Sequence, residues 1–165
     1  MTPGAVRAMP SIEIIVQSSL WETEPGIDTM LHRAIEEAAA LSTRDGELAI
    51  VLTDDSAIRT LNRDWRGIDE PTNVLSFPAK TAQATGAPLL LGDIVIAFET
   101  SAREAARENK PLVHHLAHLA VHGFLHLAGH DHEAEADAEA MEELERAILA
   151  RLGVPDPYAA RDAKP

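Results

Sequence analysis

The stretch LVHHLAHLAVHGFLHLAGHDH (residues 112–132) carries four histidines in its last eleven positions. Wound at about 100° per residue, His115, His118, His122 and His126 fall within one stripe about 80° wide. The other faces carry Leu112, Val113, Leu116, Leu119, Phe124, Leu125 and Leu127. A helix that is apolar on most sides is a buried helix. The pattern therefore predicts a central helix over 111–128, with Pro111 in its first turn and Gly129 at its C-terminal cap. Its histidine stripe must face a polar partner or a cleft.

His122 and His126 stand one turn apart, so their rings can share one atom about 2.0–2.1 Å from each nitrogen, as zinc prefers. Gly129 lets the backbone turn sharply, and the returning chain offers His130 or His132 as a third ligand. The metzincin pattern H-E-x-x-H-x-x-G-x-x-H matches at His122, His126, Gly129 and His132, which favours His132. Its glutamate, the general base of the peptidases, is replaced by Gly123. A glycine there costs the helix about 1 kcal/mol relative to alanine. It implies either a close approach to the helix backbone or tight packing. Three histidines leave one open position on a single zinc ion, the mark of a catalytic rather than a structural site. Water there would titrate near ~7. His118 reads as a residue that holds a ligand's ring or a substrate group. His114 and His115 read as exposed or cleft-edge polar residues, and His32 as surface.

Composition narrows the chemistry. The chain has 165 residues, 45% of them hydrophobic, enough for one domain with its own core. It has no cysteine, so any metal must bind through His, Asp or Glu. A formal net charge of −13 argues against a basic coat for duplex DNA. The acid is concentrated late, from Asp131 through Glu145. No signal-peptide run or membrane span is read from the sequence, and a cytoplasmic location is expected.

The chain predicts an α+β fold: one domain with a small mixed four-stranded sheet packed with about five helices, and the metzincin-like zinc helix at the centre. Residues 1–10 read as a flexible tail, 11–158 as the single catalytic metal-binding domain and 159–165 as a C-terminal tail. IEIIVQSS (12–19), ELAIVLT (47–53), TNVLSFP (72–78) and LLLGDIVIAF (89–98) read as strands. A helix is expected near 28–41 with Asp28 as its cap. A second, from Asp54 or Asp55 to Trp65, carries Arg59, Arg63 and Arg66 on one side. Arg59 and Arg63 read as a solvated face. Arg66 precedes Gly67 and a loop, from which it can reach into a cleft. Ser101 and Glu104 read as a capping box opening a short helix to about Asn109. An amphipathic helix near 133–151 closes the domain.

Four segments, HLAVHGFLHLAGHDH (118–132), WRGIDEPTNVLSFP (65–78), LGDIVIA (91–97) and DPYAA (156–160), resemble the YbeY family of bacterial endoribonucleases, in the family's order and over about residues 47–158. The resemblance implies one Zn2+ per chain on His122, His126 and His132, with Arg66 as the arginine associated with activity. It implies cleavage of single-stranded RNA in ribosomal RNA maturation and ribosome quality control. Small-subunit ribosomal proteins or a ribosome-assembly GTPase would be partners, and no membrane is involved. Two positions depart from the family's pattern. Asn73 replaces its usual aspartate and reads as a brace for the loop. His130 replaces its usual tyrosine and would add a hydrogen-bond donor beside the metal or a competing ligand.

Two rival functions follow from the same residues. A zinc hydrolase of another class, peptidase-like, requires a base near the metal; Asp131 and Glu133 are the local carboxylates. A non-catalytic ribosome-associated zinc protein requires four protein ligands and no open position.

Overall fold

A computed structural model of the chain describes residues 10–79, 89–130 and 134–159. Four strands form one sheet: β1 (Ser11–Val16), β2 (Glu47–Thr53), β3 (Val74–Pro78) and β4 (Leu90–Ala97). Their order is β1-β2-β4-β3. β1, β2 and β4 run parallel, and β3 pairs antiparallel with β4, Val74 opposite Ile96 and Phe77 opposite Asp93. Parallel neighbours need crossovers. α1 (Ile27–Ser42) lies between β1 and β2, and α2 (Asp55–Arg66) follows β2. α3 (Phe98–Arg107), α4 (Leu112–Leu127) and α5 (Glu135–Arg151) come after β4. The mixed four-stranded sheet with five helices is the α+β architecture expected from the sequence.

Alternation along the strands divides two cores. Ile50, Leu52, Ile94 and Ile96 face α1 and α4, in the larger core. Leu75, Val95 and Ala97 face the other way, where Ile58 of α2 covers them. α4 is the central helix: Leu116, Ala120, Val121, Phe124 and Leu125 are almost wholly buried. Burying a side chain such as Phe124 stabilises by about 1.5–3 kcal/mol.

The end of α4 follows from Gly129. Its φ of +99° suits glycine. Gly129 N–H donates to His126 O and His130 N–H to Leu125 O, a Schellman closure that satisfies the last carbonyls. At position 123, a β-carbon would stand 2.9 Å from Ile94 Cγ2 and 3.2 Å from Ser76 Oγ. Of the two readings of Gly123, tight packing is the one realised: the helix lies hard against β3 and β4.

Three local readings are corrected. α1 begins at Ile27 with Gly26 at its N-cap, which gives no side-chain cap, and Asp28 sits inside the first turn. A 3-10 turn (Ser19–Thr23), capped by Ser18, replaces the end of the first predicted strand. The Ser101–Glu104 capping box does not form. α3 starts a turn earlier, and Ser101 is buried with its hydroxyl donating to Ala97 O. The cap comes from a neighbouring helix: Thr100 N–H and hydroxyl donate to Asp55 Oδ1, and Asp55 N–H donates to Glu99 Oε1.

Candidate active site

The histidine stripe of α4 opens onto a cleft of about 550 Å³, walled opposite by β3 and by the end of α2. Arg66, Asn73, Ser76, His115, His118, His122, His126 and Tyr158 line it. The cleft forms because α4 packs on β3 at Gly123, where Ser76 Oγ donates to Gly123 O at 3.2 Å. Its histidines project from an adjacent side of the same helix.

His122 Nε2 and His126 Nε2 lie 3.1 Å apart. Two nitrogens each about 2.0–2.1 Å from one tetrahedral ion would stand about 3.3 Å apart. The pair thus fits a shared ion with little adjustment. His132, the third expected ligand, lies outside the described residues, as do Asp131 and Glu133. His130 is half-buried, and its backbone closes the helix.

Glu145 organises the other side of His122. It is 1% exposed. Its Oε1 accepts from His122 Nδ1 at 3.3 Å and from the Tyr158 hydroxyl at 3.2 Å. Its Oε2 accepts from His118 Nε2 at 2.6 Å and from Tyr158 at 3.1 Å. Burial pushes this carboxyl up, but the hydrogen bonds from His118 and His122, with their charge, outweigh it and bring it down to about 2. An ionised Glu145 accepts only, so in the neutral, ligating form of His122 it favours the proton on Nδ1 and leaves Nε2 with its lone pair toward the cleft. Carboxylates commonly orient metal-binding histidines in this way.

His118, His122 and Glu145 also bring ligand-type atoms within 4.8 Å of one another, so this group too could hold a metal ion. His122 belongs to both arrangements. Its Nδ1 faces Glu145 and its Nε2 faces His126. The first offers imidazoles alone and the second two imidazoles and a carboxylate, and both donor types suit zinc.

His118 therefore braces Glu145, close to its expected role. His115 does border the cleft, but it is buried rather than exposed, because Glu104 reaches back from α3 to accept from its Nε2 at 2.8 Å. The same Glu104 oxygen accepts from Asn73 Nδ2 at 2.9 Å. Asn73 Oδ1 accepts from Val74 N–H, so Asn73 does brace the entrance to β3. His32 is partly exposed and turned back on Asp28 of its own helix.

The three arginines of α2 separate. Arg59 pairs with Asp69 and Arg63 with Asp64 on the exposed surface. Arg66 makes no ion pair with a carboxylate among the described residues, and it borders the cleft.

Sequence reasoning missed Glu145 and Tyr158. For Glu145 a signal existed: it is four residues from Met141 and three from Ile148, on the apolar face of α5. A carboxylate on a buried face needs a partner.

The endoribonuclease YbeY family model matches residues 16–153. A protein of Rhodopseudomonas palustris strain BisA53 named endoribonuclease YbeY is 58% identical over 159 residues, covering 93% of this chain and 92% of its own. A protein of the same name from Nitrobacter hamburgensis is 57% identical, covering 94% and 85%. Among solved structures, the solution structure of a Thermotoga maritima protein is similar in fold, with a TM-score of 0.53 at 22% identity, covering 86% of this chain and 91% of that one. With a match over most of its length and these levels of identity, the chain belongs to the YbeY endoribonuclease family.

Proposed function

We propose that the protein is a zinc-dependent, single-strand-specific endoribonuclease acting in ribosomal RNA maturation and ribosome quality control. The observation that carries this reading is the convergence of His122 Nε2 and His126 Nε2 in a cleft that Arg66 also borders, in a chain of this family. His122, His126 and His132 would hold the metal, with Glu145 fixing the ring of His122. The chemistry a metal would supply there is Lewis acidity toward a phosphodiester.

The protein's own residues do the rest. Glu145 keeps the His122 proton on Nδ1. Tyr158 and His118 keep Glu145 in place. Arg66 offers a permanent cation to the phosphate, where negative charge grows in the transition state. A substrate held by one local cation and reached through single-stranded RNA is compatible with a net charge of −13. No helix among the described residues is long and apolar enough to cross a membrane, and the cytoplasm is the proposed location.

Gly123 weighs against peptidase chemistry. A side chain there would point at Ile94 and Ser76, into the sheet. The glutamate that a peptidase carries at this position has no room without displacing Ile94 or Ser76.

The test is zinc content and single-stranded RNA cleavage for wild type, His126→Ala and Arg66→Ala. Loss of cleavage in both, with zinc retained in Arg66→Ala, is expected. Cleavage unaffected by either change overturns the reading.

A further inference from the structure

We propose that the indole of Trp65, held by Phe77, is a stacking platform for a nucleobase of the RNA strand whose phosphate Arg66 receives. This rests on the ribonuclease reading above and names how that site takes its substrate. Trp65 is 67% exposed, whereas Trp21 is buried and donates its indole N–H to Thr53 O. The Trp65 ring is nevertheless positioned: it meets Phe77 edge-on, centroids 5.7 Å apart and planes at 67°. An exposed but oriented aromatic ring is what a base needs for stacking.

The place of this ring identifies its occupant. Trp65 opens onto a concavity of about 750 Å³ on the face of the sheet that α2 leaves uncovered beyond Leu61. That concavity and the histidine cleft share Arg66, Leu75, Ser76 and Pro78 in their walls. One chain can therefore run from one to the other across Arg66. Asp93, directly opposite Phe77 on β4, is exposed on the concavity's floor. Its charge repels a phosphate and can accept from a ring or amino N–H of a base. Cation at the junction and aromatic ring with carboxylate beyond it fit a nucleotide: phosphate at Arg66, base over Trp65. The arrangement takes any base, because every base has a π-face.

The experiment compares wild type, Trp65→Ala and Trp65→Phe on a short single-stranded oligoribonucleotide. A matching oligonucleotide lacks the bases flanking the cleaved bond. In Trp65→Ala, KM should rise about tenfold with kcat changed less than about twofold, and Trp65→Phe should recover most of the loss. The abasic oligonucleotide should cost wild type a similar factor and cost Trp65→Ala almost nothing further. In the cleavage-deficient His126→Ala protein, the intact oligonucleotide should quench indole emission, and the quench should vanish when Trp65→Phe is added. An unchanged KM in Trp65→Ala, or an abasic penalty as large in Trp65→Ala as in wild type, overturns the platform while wild-type cleavage leaves the ribonuclease reading standing. A wild-type protein that neither binds nor cleaves the intact oligonucleotide overturns both.

Discussion

Gly123 and Ile94 define how closely α4 can approach the sheet: a β-carbon on Gly123 would stand 2.9 Å from Ile94 Cγ2. Ile94 is fully buried, so it has little room to yield. Gly123→Ala gains helix propensity of about 1 kcal/mol but overpacks the core at a cost of about 1–3 kcal/mol. We expect a net loss of up to about 2 kcal/mol in urea unfolding. The double variant Gly123→Ala, Ile94→Ala should be more stable than the sum of the single effects predicts. Strict additivity would show that the contact is not what demands glycine.

The link from Glu145 to His122 predicts a metal phenotype at a residue that need not touch the metal. Glu145→Gln can still meet the rings, but it cannot hold the proton on Nδ1 as an ionised carboxylate does. Zinc affinity, measured by competition with a chromophoric chelator, should fall about 10–100-fold. His126→Ala should lose binding more completely. The reverse ranking, with Glu145→Gln abolishing binding and His126→Ala retaining it, would place the ion among His118, His122 and Glu145 instead.

What could be read in advance followed the reach of the physical signal. α4 was legible because sixteen residues keep one period, and β2 because a short apolar run between polar ends has one plausible fate. His122 and His126 came from spacing within a single helix. Glu145 did not, because it sits in a run of acids and its burial depends on where α5 docks. The burial of His115 was not legible for the same reason: its partner Glu104 is on another helix. The cap of α3 was misassigned because Asp55, 45 residues from Thr100, supplies it. Local grammar favoured Ser101, and a tertiary contact won.

Asp55 predicts part of the acid stability. Burial pushes its carboxyl up, but hydrogen bonds from Thr100 and Arg103, with the Arg103 charge, bring it below the ordinary 3.8. The unfolded chain then binds the proton more readily than the folded one between the two values. The contribution is therefore complete above 3.8 and is lost as pH falls through the lower folded value. Asp55→Asn keeps the shape and removes the titration. It should lower stability at pH 7 by about 1 kcal/mol and flatten the acid limb of a stability–pH curve. An acid limb identical to wild type would exclude Asp55 as a contributor.

Asn73 lets the last relationship be tested with a single atom's change of chemistry. Its Nδ2 donates to Glu104 Oε1, which also accepts from His115. Burial raises the Glu104 carboxyl, and these two donors bring it below its ordinary value. Asn73→Asp keeps the acceptor for Val74 N–H but turns the donor into a second carboxylate beside Glu104. Two like charges so close cannot both ionise cheaply, so the folded pair takes up a proton more readily than the unfolded chain does. The folded variant then binds more protons, and its stability relative to wild type rises as pH falls. Unfolding by urea should show a deficit of about 1–2 kcal/mol at pH 8 that narrows toward pH 5. A deficit independent of pH would mean that Asn73 serves through shape alone, and that the bridge from β3 to His115 carries no electrostatic load.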